Sequence, residues 1–72
     1  MKIFIKSNFI RRKLIKKCKS QNWLAYRMGI SSGYISQLMD GSRNPSPAMC
    51  ERFLKAFPEC AFEQLFSIKE RG

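Results

Sequence analysis

The stretch from Ser20 to Gly41 constrains this chain more than any other, because serine and glycine bracket two short apolar runs within it. Ser20 and Ser31 stand where a helix N-cap oxygen accepts a backbone N–H. Gly29 and Gly41 stand just past a helix, where a left-handed backbone has no Cβ penalty. Leu24, Ala25 and Met28 share one face at i, i+1, i+4, and Ile35, Leu38 and Met39 share another at i, i+3, i+4. The spacing predicts helices over about 20–28 and 31–39 with a tight turn at Gly29, the outline of a helix-turn-helix. Such an outline serves packing as readily as nucleic-acid binding, and the flanking residues must decide between them.

Before it, Lys2-Ile3-Phe4-Ile5-Lys6 reads as a brief extended arm or edge strand. A strand this short cannot stand alone and must lie on the helices or pair with a second copy of itself. Ser7 or Asn8 then caps a first helix running to about Lys17, with Ile10, Leu14 and Cys18 on one stripe that Phe9 and Ile15 widen. After it, Asp40–Pro47 is almost entirely turn formers and caps. Ser46 is an N-cap with Pro47 at the first helical position, and a helix to about Phe57 follows, carrying Cys50, Phe53, Leu54 and Phe57. Pro58 stops it. Cys60 or Ala61 opens a last short helix with Phe62, Leu65 and Phe66, and Lys69–Gly72 is expected to fray. The expectation is one all-α domain over residues 1–72, with five helices, an arm over 1–6 and a helix-turn-helix unit over 20–39.

Charge is what separates the two uses of that outline. The chain carries a formal +9, and residues 1–39 hold nine Lys/Arg with no Asp or Glu, whereas residues 40–72 hold five of each sign. In the first helix Arg11, Arg12, Lys13, Lys16 and Lys17 repel one another at i, i+4, which favours an anionic partner that offsets the repulsion. Nucleic acid suits this asymmetry better than a membrane surface, since no long amphipathic helix with a bulky exposed apolar face is present. No run approaches the ~18 apolar residues of a membrane span. The basic start is followed by only three apolar residues and no cleavage site, so a cytoplasmic protein is expected.

Three widely spaced cysteines and no histidine exclude a zinc site or disulfide framework, leaving buried reduced thiols and no cofactor. Without histidine, paired carboxylates, a nucleophile motif or room for a substrate cleft, enzymatic activity is excluded as well. At 44% hydrophobic and 12% aromatic, the chain is too apolar to stay disordered.

The residues Ser20-Gln21-x-x-Leu24-Ala25-x-x-Met28-Gly29-Ile30-Ser31-x-x-x-Ile35-Ser36-x-Leu38-x-x-Gly41-x-Arg43-Asn44-Pro45-Ser46 resemble the phage repressor/Cro (Xre-type, lambda-repressor-like) helix-turn-helix family. The match runs without a gap from Ser20 to Ser46. The resemblance implies a five-helix domain whose third helix enters the DNA major groove while the second lies across it. In that docking the base-edge positions are Ser32, Gly33 and Tyr34, with Ser36 and Gln37 one turn on. All five lie off the Ile35/Leu38/Met39 face. Gln37 carries a donor and an acceptor and could read adenine bidentately; the alternative is an exposed surface glutamine. Tyr34 reaches a thymine methyl or a phosphate, or merely packs along the helix. Gly33 has no side chain to read with and would permit close backbone approach.

The resemblance implies phosphate contacts from Gln21 at the start of helix 2 and from Ser31, Ser42, Arg43 and Asn44 around helix 3. Arg11, Lys17 and Lys19 add general phosphate attraction, and none of these partners carries sequence information. The sequence departs from the family at Cys18, where glycine is common, at Lys19, where an apolar residue is usual, and at Trp23, where a polar one is. Pro58-Glu59-Cys60 is also one residue longer than the common turn. The implied partner is double-stranded DNA, an inverted repeat bound by a homodimer, with no small-molecule ligand. The dimer surface would be the arm Lys2–Lys6 or helix 5 with Phe62, Phe66 and Ile68. The other reading is an antitoxin-like protein-interaction module whose DNA binding is autoregulatory.

Overall fold

Ser20 and Ser31 turn their hydroxyls onto the backbone three residues ahead, accepting from the Trp23 and Tyr34 amides at 3.1 Å each. Those caps begin two of the helices in a computed structural model that describes residues 2–70. In chain order the elements are β1 (Lys2–Ile5), α1 (Ser7–Lys16), α2 (Gln21–Met28), α3 (Ser32–Asp40), α4 (Pro47–Ala56), α5 (Phe62–Leu65) and β2 (Phe66–Lys69). The domain is thus mostly helical, with the five expected helices and a small two-stranded sheet added to them.

Local chemistry accounts for most boundaries. Gly29 leaves α2 at φ 70° and Gly41 leaves α3 at φ 88°, both left-handed. A Cβ on Gly29 would meet Arg52 Nη1 at an ordinary 3.5 Å, so the demand for glycine there is conformational rather than steric. The Ser46 hydroxyl accepts from the Met49 amide, with Pro47 at the first turn of α4. At α1 the expected cap is replaced. Lys6 holds the cap position without a side-chain bond, and the Ser7 hydroxyl instead donates to the Met39 carbonyl at 2.6 Å, tying the start of α1 to the end of α3.

The C-terminal end departs most from expectation. The last helix stops at Leu65, and Phe66–Lys69 pairs antiparallel with Lys2–Ile5 in the register Lys2↔Lys69, Ile3↔Ile68, Phe4↔Ser67, Ile5↔Phe66. The arm therefore finds its partner in its own chain rather than in a second copy. Alternation explains the switch: Ile3, Ile5 and the buried Phe66 face the helices, while Lys2, Phe4, Ser67 and Lys69 face outward. Lys69 belongs to this strand rather than to a frayed tail; of the rest of the expected tail and arm, Met1, Arg71 and Gly72 lie outside the described residues.

The core gathers Ile10 and Leu14 from α1, Leu24, Ala25 and Met28 from α2, and Ile35, Leu38 and Met39 from α3. Met49, Cys50, Phe53, Ala56 and Phe57 join from α4 and its end, with Leu65 and Phe66 closing it. Phe53 and Phe66 meet edge to face at 5.6 Å, the geometry the ring quadrupoles favour. Two residues expected on the α1 stripe lie outside this core. Ile15 is 74% exposed, because it lies ~140° around the helix from Ile10. Cys18 falls beyond the helix and is exposed, as a buried thiol would not be; Cys50 is buried and Cys60 half-buried. Among the described residues no helix is long and apolar enough to cross a membrane.

Cys18 also occupies the left-handed region, at φ 57°, a conformation that glycine adopts without a Cβ penalty. The longer turn after α4 has a role in the same corner: Lys13 and Lys17 both reach the Glu59 carboxylate at 3.1 Å. A non-glycine left-handed residue costs ~1–2 kcal/mol, partly offset by glycine's greater freedom in the unfolded chain. Cys18→Gly is therefore expected to raise stability by about 0.5–1 kcal/mol, read from urea denaturation midpoints at unchanged slope.

Candidate nucleic-acid interface

The position of α3 follows from how its two ends are held. At the N-terminus, Gly29 and the Ser31 cap set the direction in which the helix leaves α2, and the Ile30 amide donates back to the Ala25 carbonyl at 3.0 Å. From α4, Arg52 Nη1 donates to the Met28 carbonyl at 2.8 Å, completing a group that the end of α2 leaves unpaired and placing a cation at the negative end of that helix dipole. At the C-terminus of α3, the Ser7 hydroxyl takes the Met39 carbonyl. Because Ile35, Leu38 and Met39 face the core, Ser32, Gly33, Ser36 and Gln37 are left exposed. Tyr34 lies at the edge, half-buried against the core.

The sequence-predicted positions separate into three groups. Tyr34, Gln37 and Arg43 come together. The Arg43 guanidinium lies over the Tyr34 ring at 4.9 Å, and its Nε donates to Gln37 Oε1 at 3.1 Å. The Arg43 amide also donates to the Gln37 carbonyl at 3.2 Å, so backbone and side chain hold the same pair. Gly33 stands in open space, with nothing within 4 Å of where a Cβ would project, so no packing inside the protein calls for a glycine there.

A second group lines a shallow surface cleft of about 240 Å³ between α1 and the start of α2, made by Arg11, Leu14, Ile15, Lys19 and Gln21. Three of the positions assigned to phosphate attraction thus share one concavity beside a helix N-terminus. Lys19 also lies over the Trp23 indole at 5.5 Å, and Trp23 is half-buried against the core. The basic and aromatic departures from the family pattern therefore stack on each other.

The third group is engaged inside the protein. Asn44 Nδ2 donates to the Ile3 carbonyl at 2.8 Å, fastening β1 to the loop after α3. The Ser42 amide donates to Asp40 Oδ1 at 2.8 Å, and the Ser42 hydroxyl, then that amide, hold the Asp40 carboxyl below its ordinary value. An ionised carboxylate beside Ser42 disfavours a phosphate there. Lys17 is paired with Glu59. Ser31 Oγ is occupied by its cap bond.

Arg52 and Glu59 were not singled out from the sequence. Both act through tertiary contacts more than 20 residues away, to which no local pattern points.

No protein-family model, curated protein or solved structure matches the chain.

The Glu59 contact has a pH signature. Its own backbone amide first, then the Lys17 and Lys13 ammonium groups, lower its carboxyl from an ordinary 4.5 to about 2. A depressed carboxyl stabilises the fold fully above its unfolded pKa and loses that contribution as pH falls toward the folded value. Stability should therefore decline between pH 4.5 and about 2, and Glu59→Gln should flatten that part of the profile in thermal melts across pH.

Proposed function

We propose that this chain is a sequence-specific double-stranded DNA-binding transcriptional regulator of the phage repressor/Cro type, with α3 as the recognition helix in the major groove. The observation that carries this reading is the exposed, small and polar face of α3, fixed at both ends and flanked by Arg43 stacked on Tyr34; Arg11, Lys19 and Gln21 form a separate basic cleft at the start of α2. A solvated helix face needs no such arrangement. A DNA reader needs rigid base-facing side chains beside groups that hold the phosphates. Gly33 fits the same reading, since a site with open space on the protein side leaves close approach by a partner as the use for a missing side chain.

A domain this small places few side chains on base edges, so a homodimer on an inverted repeat, with half-sites about one helical turn apart, multiplies the readout. Of the dimer surfaces suggested by the sequence, Phe66 is buried, Phe62 is half-buried against it at 4.8 Å, and the inner face of the arm is packed on the core. Phe4 at 38% and Ile68 at 47% are the exposed apolar residues left on that side of the molecule.

Selection from a randomised duplex pool should enrich a two-fold symmetric site, and failure to enrich any sequence would sink the reading. Affinity should fall with salt by ~0.9 log units per phosphate contact per log unit of salt. Lys19→Ala should weaken all sequences about equally and reduce that slope by about 1. Gly33→Ala separates fold from function, because helix propensity favours alanine by up to about 1 kcal/mol while a Cβ obstructs approach to DNA. It should raise the melting temperature and lower DNA affinity together. A variant that gains stability and binds unchanged would remove Gly33 from the interface.

A further inference from the structure

Gln37 was expected to read adenine, which needs its carboxamide to donate to N7 and accept from N6. The structure places a cation against the accepting atom. Arg43 Nε donates to Gln37 Oε1 at 3.1 Å, while the guanidinium is held over Tyr34 at 4.9 Å. The Arg43 amide bond to the Gln37 carbonyl keeps the two residues in register even before their side chains meet. Among the described residues, neither Gln37 Nε2 nor the Arg43 Nη nitrogens donate to a protein acceptor. The pair therefore presents amide and guanidinium N–H donors side by side. Oε1 keeps one further lone pair, but a donor approaching it, such as adenine N6, meets the adjacent positive charge.

Resting on the proposed docking of α3, we infer that Gln37 and Arg43 together specify guanine rather than adenine, with Arg43 the positioning residue that makes Gln37 a donor. Guanine offers only acceptors, N7 and O6, to the major groove, which matches an edge made of donors. Arg43 is thereby more than a phosphate contact. Lysine replaces it only in part, since an ammonium can still donate to Oε1 but has no plane to stack on Tyr34 and hold it there.

The test is selection from a randomised duplex pool with the full chain and its R43A variant, followed by competition between the enriched site and its single guanine-to-adenine substitution. Q37A identifies which enriched position depends on Gln37. The wild type should hold guanine there, preferred over adenine on the order of tenfold or more. R43A removes both the donor and the cation and should retain binding to random-sequence duplex, with a salt slope reduced by no more than about 1. Its carboxamide is released, so the guanine preference should fall to parity or shift to adenine. Adenine at the Gln37-dependent position in the wild type, or a guanine preference that survives R43A, overturns the base assignment while leaving DNA recognition standing. A wild type that enriches no sequence overturns specific recognition and the base assignment together.

Discussion

The left-handed joint at Gly29 is the constraint on which the rest of the molecule depends. A φ of 70° turns the chain out of α2 and lets α3 bring Ile35, Leu38 and Met39 onto the same core as Leu24 and Met28. The joint is not left to glycine alone. Arg52 reaches from α4 to the Met28 carbonyl, and α4 is itself started by Ser46 and Pro47. The angle between the two central helices is thus fixed by a third helix. Loss of the Arg52 bond would leave both a partly buried carbonyl and the α2 dipole without their partner, at a cost of roughly 1–2 kcal/mol.

Closing the ends of the chain is the second constraint. A domain of 72 residues has little core to draw on, and the β1–β2 pair adds Ile3, Ile5 and Phe66 to it. The same pair is fastened to the central unit, because Asn44 holds the Ile3 carbonyl and Ser7, just after β1, holds the end of α3. The sheet therefore bears on the α3 face as well as on stability. Asn44, expected at a phosphate, spends one amide N–H on fastening β1.

What was legible in the sequence acts within one helical turn. Serine caps, glycine exits and the Ser46-Pro47 start operate over three or four residues, and α2, α3 and α4 begin and end where those signals lie. The exposed face of α3 was legible too, since it is what the apolar stripe leaves over. Pairing over more than 60 residues was not, although signals for it were present. Phe66-Ser67-Ile68-Lys69 alternates with period 2, and Lys2–Lys6 needed a strand partner. The helical spacing of Phe62, Leu65 and Phe66 masked that alternation, because Phe66 satisfies both patterns at the point where one gives way to the other. The contacts of Arg43, Asn44 and Lys17 were hidden for a different reason. Long polar side chains choose among several partners, and only the folded geometry ranks them.

That ranking changes what the net charge of +9 means. Lys13 and Lys17 share Glu59, Lys6 Nζ donates to the Glu63 carbonyl at 2.7 Å, and Arg52 serves the end of α2. These cations contribute to the long-range field but are engaged in holding the fold. Arg11 and Lys19, in the cleft with Gln21, make only exposed contacts, to Asn8 Oδ1 and over the Trp23 ring, and neither is paired with a carboxylate among the described residues. Arg43 is different again, because it is exposed yet already oriented by Tyr34 and Gln37. A cation whose geometry is fixed before a partner arrives loses less conformational entropy on binding than a free lysine and can discriminate rather than only attract. Under the proposed function the count of basic residues would measure attraction, while discrimination would rest with the few whose side chains the fold has already aimed.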